Sequence, residues 1–196
     1  MPDRPTIARA DIIIIGAGIM GASIAFQLSC QTDKQIIVVD ARQPVGGMSG
    51  RTFGQVRQHY SNELMVELSI RGFDTLKNWS EKVGYGDPGY VRMGYMLLVA
   101  ANQIEGLKRN VKLGRRLGVD TRFVEPDEIK HIEPGLTVDG LTGGCHEPNG
   151  GYIDVTRMVL RRLGAAQAGG VRVMTPLFAT SIATRAGRGS GAVHPH

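Results

Sequence analysis

Four consecutive isoleucines, Ile12 to Ile15, run directly into Gly16-Ala17-Gly18-Ile19-Met20-Gly21. A helix-forming stretch then leads to a second apolar run, Ile36-Ile37-Val38-Val39, which ends on Asp40. Short apolar runs bounded by turn residues read as buried strands, and strand, glycine turn, helix and strand in this order make a βαβ unit. This feature constrains the fold most, because each position has a physical task. Gly16 permits the tight turn off the strand. Gly18 lacks a Cβ and lets the backbone approach a pyrophosphate. Gly21 lets the helix lie close on the sheet. The free N–H groups that open the helix, at Ile19 and Met20, carry the positive end of its dipole and favour phosphate. Asp40 falls about 20 residues on, where the dinucleotide fingerprint puts an acid that accepts hydrogen bonds from a ribose. A carboxylate there disfavours the 2′-phosphate of NADP, but it does not separate NAD from FAD.

The chain of 196 residues accommodates one or two domains, and 42% hydrophobic with 21% charged residues is the balance of a globular protein. Apolar runs fall short of the roughly 20 residues needed to span a bilayer, and the polar N-terminus lacks a signal-peptide pattern, so a cytoplasmic protein is expected. The net charge is +5, but the basic residues are scattered. Arg115-Arg116 and Arg161-Arg162 read as solvated helix faces, so no nucleic-acid partner is expected. Cys30 and Cys145 match no metal or redox spacing, and no metal site is expected from the sequence. His194 and His196 read as incidental.

From Asp40 to Tyr60 the chain reads as a long loop rich in glycine, small polar and basic residues. Its freed backbone N–H groups, with the Ser49 and Thr52 hydroxyls, suit an extended anionic cofactor. A helix is predicted from Ser61 or Asn62 to Val83, with Leu64, Leu68, Leu76, Trp79 and Val83 as a core stripe. A strand at Tyr95 to Ala100 precedes a helix opened by an Asn102/Glu105 capping box and ending near Gly118. A short strand and helix follow. Between Val138 and Ile153, strands are expected about the turn Glu147-Pro148-Asn149-Gly150. A helix from Asp154 or Thr156 closes at Gly169-Gly170, and strands are predicted at Val171 to Met174 and Leu177 to Thr184. Residues 185–196 read as a disordered tail.

Three stretches resemble the FAD-dependent oxidoreductases of the D-amino-acid oxidase superfamily, in its sarcosine oxidase and dimethylglycine dehydrogenase branch. They are the Gly16–Gly21 turn with Asp40, the loop from Gly47 to Tyr60, and Gly150-Gly151-Tyr152-Ile153-Asp154 opening a helix before Val171-Arg172-Val173. The resemblance implies a Rossmann-like α/β FAD-binding unit with an inserted α+β substrate-domain segment. The implied division is 1–60 for the FAD-binding unit and cofactor loop, 61–153 for a partial substrate or cap domain, and 154–184 for a return helix and strands. It implies FAD rather than NAD. Gly16, Gly18, Ile19, Met20 and Gly21 would hold the diphosphate. Asp40, Ala41 and Arg42 would flank the adenosine. Ser49 and Gly50 would contact the diphosphate and ribityl region, and Thr52, Gly54 and Gln55, within the stretch Arg51 to Gln55, lead toward the isoalloxazine ring. Arg57 and His59 are the implied substrate contacts. Neither His59 nor Cys145 is assigned a covalent flavin bond, and no catalytic base is identified.

The implied chemistry is oxidation of the C–N bond of a secondary or tertiary amino acid or related amine, by hydride transfer to flavin. The family pattern continues beyond a strand like Leu177 to Thr184, whereas this sequence changes character there. The expectation is an N-terminal portion that is inactive alone. The alternatives are a catalytically silent FAD-binding or assembly subunit completed by a second polypeptide, and an NAD-binding dehydrogenase, against which the Ser49 to Gln55 loop argues.

Overall fold

A computed structural model describes residues 9–185 and 188–193. In chain order the first half gives β1 (Ile12–Ile15), α1 (Ile19–Ser29), β2 (Ile36–Val39), β3 (Gln55–Val56), α2 (Glu63–Lys77), α3 (Trp79–Lys82), β4 (Tyr90–Arg92) and β5 (Tyr95–Val99). The second half gives α4 (Ile104–Arg116), β6 (Arg122–Val124), α5 (Pro126–Ile132), β7 (Gly143–Glu147), β8 (Gly151–Ile153), α6 (Val155–Ala168), β9 (Arg172–Met174), β10 (Ser181–Arg185) and β11 (Arg188–Val193). Short 3₁₀ turns occupy Met48–Arg51 and Ala101–Gln103.

Two compact units are interleaved along the chain. The first takes the N-terminal residues through Thr52, then Val83–Gly89 and the residues from Asp154 onward; the second takes Phe53–Lys82 and Tyr90–Ile153. The expected boundary at residue 60 therefore differs from the observed one. Residues 53–60 belong with the second unit because β3 is hydrogen-bonded to β8. Val83–Gly89 joins the first unit through α6, where a Cβ on Gly164 would lie 2.5 Å from the Tyr85 ring.

In the first unit β1, β2 and β9 form a parallel sheet with β2 in the centre. All four β2 residues are buried, as a central strand covered on both faces requires. α1 packs on α6 in one core, with Ala22, Ala25 and Phe26 facing Val159, Leu163 and Ala166. The alanines let the helices approach closely. Asp154 caps α6 by accepting from the Arg157 N–H at 2.9 Å. Arg162, expected on a solvated face, is instead buried with its guanidinium 5.5 Å from the centre of the Phe26 ring. The stem of an arginine packs like an aliphatic chain, so charge alone does not fix which side of a helix faces water.

The expected strand at Leu177 to Thr184 starts later, at Ser181, and pairs antiparallel with β11. Within the stretch 185–196, expected to be disordered, the described residues Arg188–Val193 form a strand. A backbone ladder can form without the apolar periodicity whose absence suggested disorder. Residues 186–187 and 194–196, with His194 and His196, lie outside the described residues.

The second unit holds two antiparallel sheets, ordered β5-β7-β6 and β3-β8-β4. β7 and β8 meet at a turn closed by Gly150 N–H to Glu147 O at 3.0 Å, yet each enters a different sheet. The glycines of β7 explain its central place: a Cβ on Gly143 would lie 2.5 Å from the Phe123 ring, and one on Gly144 would lie 2.9 Å from Leu97 O. α4 covers this sheet with Leu107 and Val111 against Val99 and Cys145. The predicted Asn102/Glu105 capping box is absent, because Asn102 lies in the 3₁₀ turn and α4 has Gln103 as a cap without a side-chain bond. The predicted helix to Val83 breaks at Asn78; of its stripe Leu64 and Leu68 are exposed and Trp79 is buried, while Val66, outside the stripe, is the buried residue of α2.

Candidate functional site

The turn between β1 and α1 is shaped by backbone that admits no side chains. Gly16 has φ +115°, a region closed to most L residues, and its N–H donates to Val39 O at 2.7 Å. A Cβ on Gly21 would come within 1.8 Å of Gly16 O, so the first turn of α1 rests directly on the glycine turn. A Cβ on Gly18 would meet the Ser49 hydroxyl at 2.9 Å. That hydroxyl accepts from the Ile19 N–H at 3.0 Å and so caps α1 from 30 residues away. Gly18 gives no side-chain cap, and the first turn of α1 contains no acid. The positive end of this 11-residue helix is therefore left for an anion.

Asp40 ends β2 beside this turn. One carboxylate oxygen accepts from the Ala17 N–H at 2.7 Å and the other from the Arg42 N–H at 2.9 Å. The sequence reading gives the acid to a ribose; here it also braces the turn, and each oxygen retains a second acceptor direction. The Arg42 side chain donates to Gly46 O at 2.8 Å, while Ala41 is exposed. The loop closes over the turn through Val45, whose N–H donates to Ala17 O at 3.4 Å. Val45 is buried and has φ +71°, an outlier for a β-branched residue. A Cβ on Gly50 would lie 2.3 Å from Val45 O. Nothing local in the sequence marks Val45 out, since its role comes from the partner it folds onto.

The first unit thus brings together Gly16, Gly18, Ile19, Met20, Gly21, Asp40, Arg42, Ser49 and Gly50. The second unit holds Gly54, Gln55, Arg57 and His59. Gly54 has φ +66° and its carbonyl accepts from the Ile153 N–H at 2.8 Å, and Gln55 pairs with Tyr152. The Arg57 guanidinium lies 4.6 Å from the Tyr60 ring centre and 5.9 Å from that of Tyr95, and donates to His59 O at 2.5 Å. His59 is buried, with Asn110 Nδ2 at 3.4 Å from its Nε2.

Near His59 lie Cys145, to which the sequence assigns no role, and Glu147, which it marks only as part of a turn. Glu147 is buried and accepts from the Gln58 N–H at 2.7 Å, and Cys145 is buried with its sulfur 3.1 Å from the Thr121 hydroxyl. Burial pushes the Cys145 thiol up to about 11, raises the Glu147 carboxyl, and together with the Arg57 charge lowers His59. The alternation of β7 puts Cys145 and Glu147 on one face, a signal the sequence does contain. The approach of His59, 86 positions before Cys145, is not visible there.

A family model described as FAD dependent oxidoreductase matches residues 11–196. The chain is 24% identical over 182 residues to human mitochondrial sarcosine dehydrogenase, covering 92% of this chain and 20% of that protein. It is 24% identical over 185 residues to sarcosine oxidase subunit beta of Rhodobacter capsulatus, covering 92% of this chain and 45% of the relative. Its fold is similar to that of L-proline dehydrogenase from P. horikoshii, with a TM-score of 0.85 at 23% identity, covering 94% of this chain and 48% of the other. It is also similar to glycine oxidase from Bacillus cereus, with a TM-score of 0.76 at 21% identity and coverages of 94% and 51%. The chain therefore spans between a fifth and a half of these relatives. Among the described residues, no helix is long and apolar enough to cross a membrane.

Proposed function

The chain belongs to the FAD dependent oxidoreductase family, and on that premise we propose that its first unit holds the adenosine diphosphate half of FAD. The protein it serves oxidises the C–N bond of a secondary or tertiary amino acid or a related amine. The observation that carries the cofactor assignment is the cradle at Gly18, where an added Cβ would strike the Ser49 hydroxyl beside an acid-free helix N-terminus. Similarity to sarcosine dehydrogenase and to sarcosine oxidase subunit beta supports the substrate class.

In this reading Gly16, Gly18 and Gly21 keep the backbone close to the diphosphate, and the Met20 N–H with Ser49, Gly50 and Thr52 binds its oxygens, the Ile19 N–H being held by the Ser49 hydroxyl. Asp40, with Ala41 and Arg42 beside it, orients the adenosine ribose. Bound flavin supplies the two-electron acceptor for the carbon next to nitrogen. Arg57 is the substrate's carboxylate clamp: its five donors are not exhausted by the bond to His59 O, and the Tyr60 ring holds its plane. Burial removes His59 from direct substrate contact. A second reading, a catalytically silent assembly subunit, draws support from the subunit designation of the Rhodobacter relative. Co-purification of a second polypeptide separates it from the first.

The test is titration of the full chain with FAD, followed by the flavin absorption spectrum. Wild type should shift the spectrum saturably, NAD should not compete, and Gly18→Val should weaken binding by about tenfold or more, or roughly 1.4 kcal/mol. An unchanged spectrum in excess FAD, or equal binding by Gly18→Val, overturns the cofactor assignment. Anaerobic bleaching of the flavin by N-methyl amino acids in the assembled protein tests the substrate class, and no bleaching by any amine removes it.

A further inference from the structure

A second constellation lies wholly within the second unit and has no part in the cofactor reading. One ligand atom each from His59, Cys145 and Glu147, a ring nitrogen, a sulfur and a carboxylate oxygen, all lie within 4.8 Å of one another. The three residues are only 6%, 0% and 2% exposed. Buried polar atoms in folded proteins are almost always hydrogen-bonded. Within this three-residue cluster two are not: His59 Nδ1 and Glu147 Oε1 are buried without a hydrogen-bond partner, as is His146 Nδ1 outside the cluster.

We propose that His59, Cys145 and Glu147 bind one divalent transition-metal ion of the zinc type. The donor chemistry selects the class. Imidazole nitrogen and thiolate sulfur suit zinc and its neighbours, whereas magnesium and calcium take oxygen ligands. Three protein ligands leave a fourth tetrahedral position for a water. A dication also balances the two charges of a thiolate and a carboxylate in a dry interior.

The surroundings orient these ligands as a metal site requires. The Thr121 hydroxyl lies 3.1 Å from Cys145 Sγ, the Gln58 N–H donates to Glu147 Oε2 at 2.7 Å, and Asn110 Nδ2 lies 3.4 Å from His59 Nε2. Such outer contacts fix ligand orientation and strengthen binding. The nearby Arg57 cation is turned onto the Tyr60 ring and the His59 carbonyl, outside the ligand set. The ion would tie the segment around His59 to β7, the central strand of its sheet. The ion site is separate from the residues assigned to flavin.

The full chain, stripped with a chelator under reducing conditions, is titrated with cobalt(II) and then with zinc(II). Wild type should bind one equivalent of cobalt with a thiolate-to-cobalt charge-transfer band, and zinc should displace it. Cys30→Ser removes the exposed thiol and should keep the band; Cys145→Ser should lose it. Glu147→Gln should weaken zinc by at least the ~10-fold typical of disturbing such a site. The absence of stoichiometric binding by wild type, a band that survives Cys145→Ser, or one lost in Cys30→Ser overturns the proposal. An apo His–Glu hydrogen bond that needs no ion would give the first of these results. The wild-type titration is decisive even if a variant misfolds. It is read without FAD, so its failure leaves the flavin assignment standing.

Discussion

Asp40 shows how one side chain can serve a fold and a ligand together. Its carboxylate spans the Ala17 and Arg42 N–H groups, which joins the glycine turn to the end of β2. Hydrogen bonds to a charged acceptor contribute more than neutral ones. Asp40→Ala is therefore expected to cost about 2 kcal/mol of stability even without cofactor, measured by urea unfolding. A change within about 0.5 kcal/mol, the usual range for a surface substitution, would show that the carboxylate braces nothing. At this scale the glycine turn was legible because its constraint is steric and local: Gly21 rests on Gly16 O whatever the rest of the chain does. Val45 and Glu147 were not legible. Val45 matters through Ala17 O, and Glu147 through an N–H at Gln58, 89 positions earlier.

Helical periodicity identified α2, α4 and α6, but it did not say which face each would bury. The spacing of Leu64 and Leu68 predicts a core stripe, yet the buried residue of α2 is Val66. The side that faces the interior depends on neighbouring elements, which no local window contains. The break after α2 has a similar origin. There Asp74 accepts from Asn78 Nδ2 at 2.6 Å and pairs with Lys82 of α3, bridging the two helices. The Lys82 hydrogen bond, followed by the Asn78 bond and the Lys82 and Lys77 charges, holds the Asp74 carboxyl below its ordinary 3.8. A carboxyl lowered in the folded state contributes stability that is complete above its unfolded value and lost as pH falls through the folded one. Stability should therefore fall between pH 4 and more acidic values, and Asp74→Asn should flatten part of that loss. The check is urea unfolding at a series of pH values below 5. Parallel curves for wild type and variant would remove this bridge from the account.

The interleaving of two units along one chain makes a prediction at the scale of the whole molecule. The dinucleotide motif and the return through α6 and β9 were legible because strand, turn and helix signals follow in register. The return of Val83–Gly89 to the first unit was not, since it depends on Tyr85 meeting Gly164 across the fold. If the flavin cradle lies in the first unit and the zinc site in the second, each ligand should stabilise different amides. A ligand that binds only the folded state adds about 2.7 kcal/mol at 100 times its Kd. Hydrogen exchange with FAD should slow the peptides containing Gly16–Gly21 and Met48–Arg51, while zinc should slow those containing residues 57–60 and Gly143–Glu147. The two patterns should add when both ligands are present, because they draw on separate residues. Protection of the same peptides by both ligands would instead mean that flavin and metal share one cooperative site, and the assignment of each ligand to its own unit would fall.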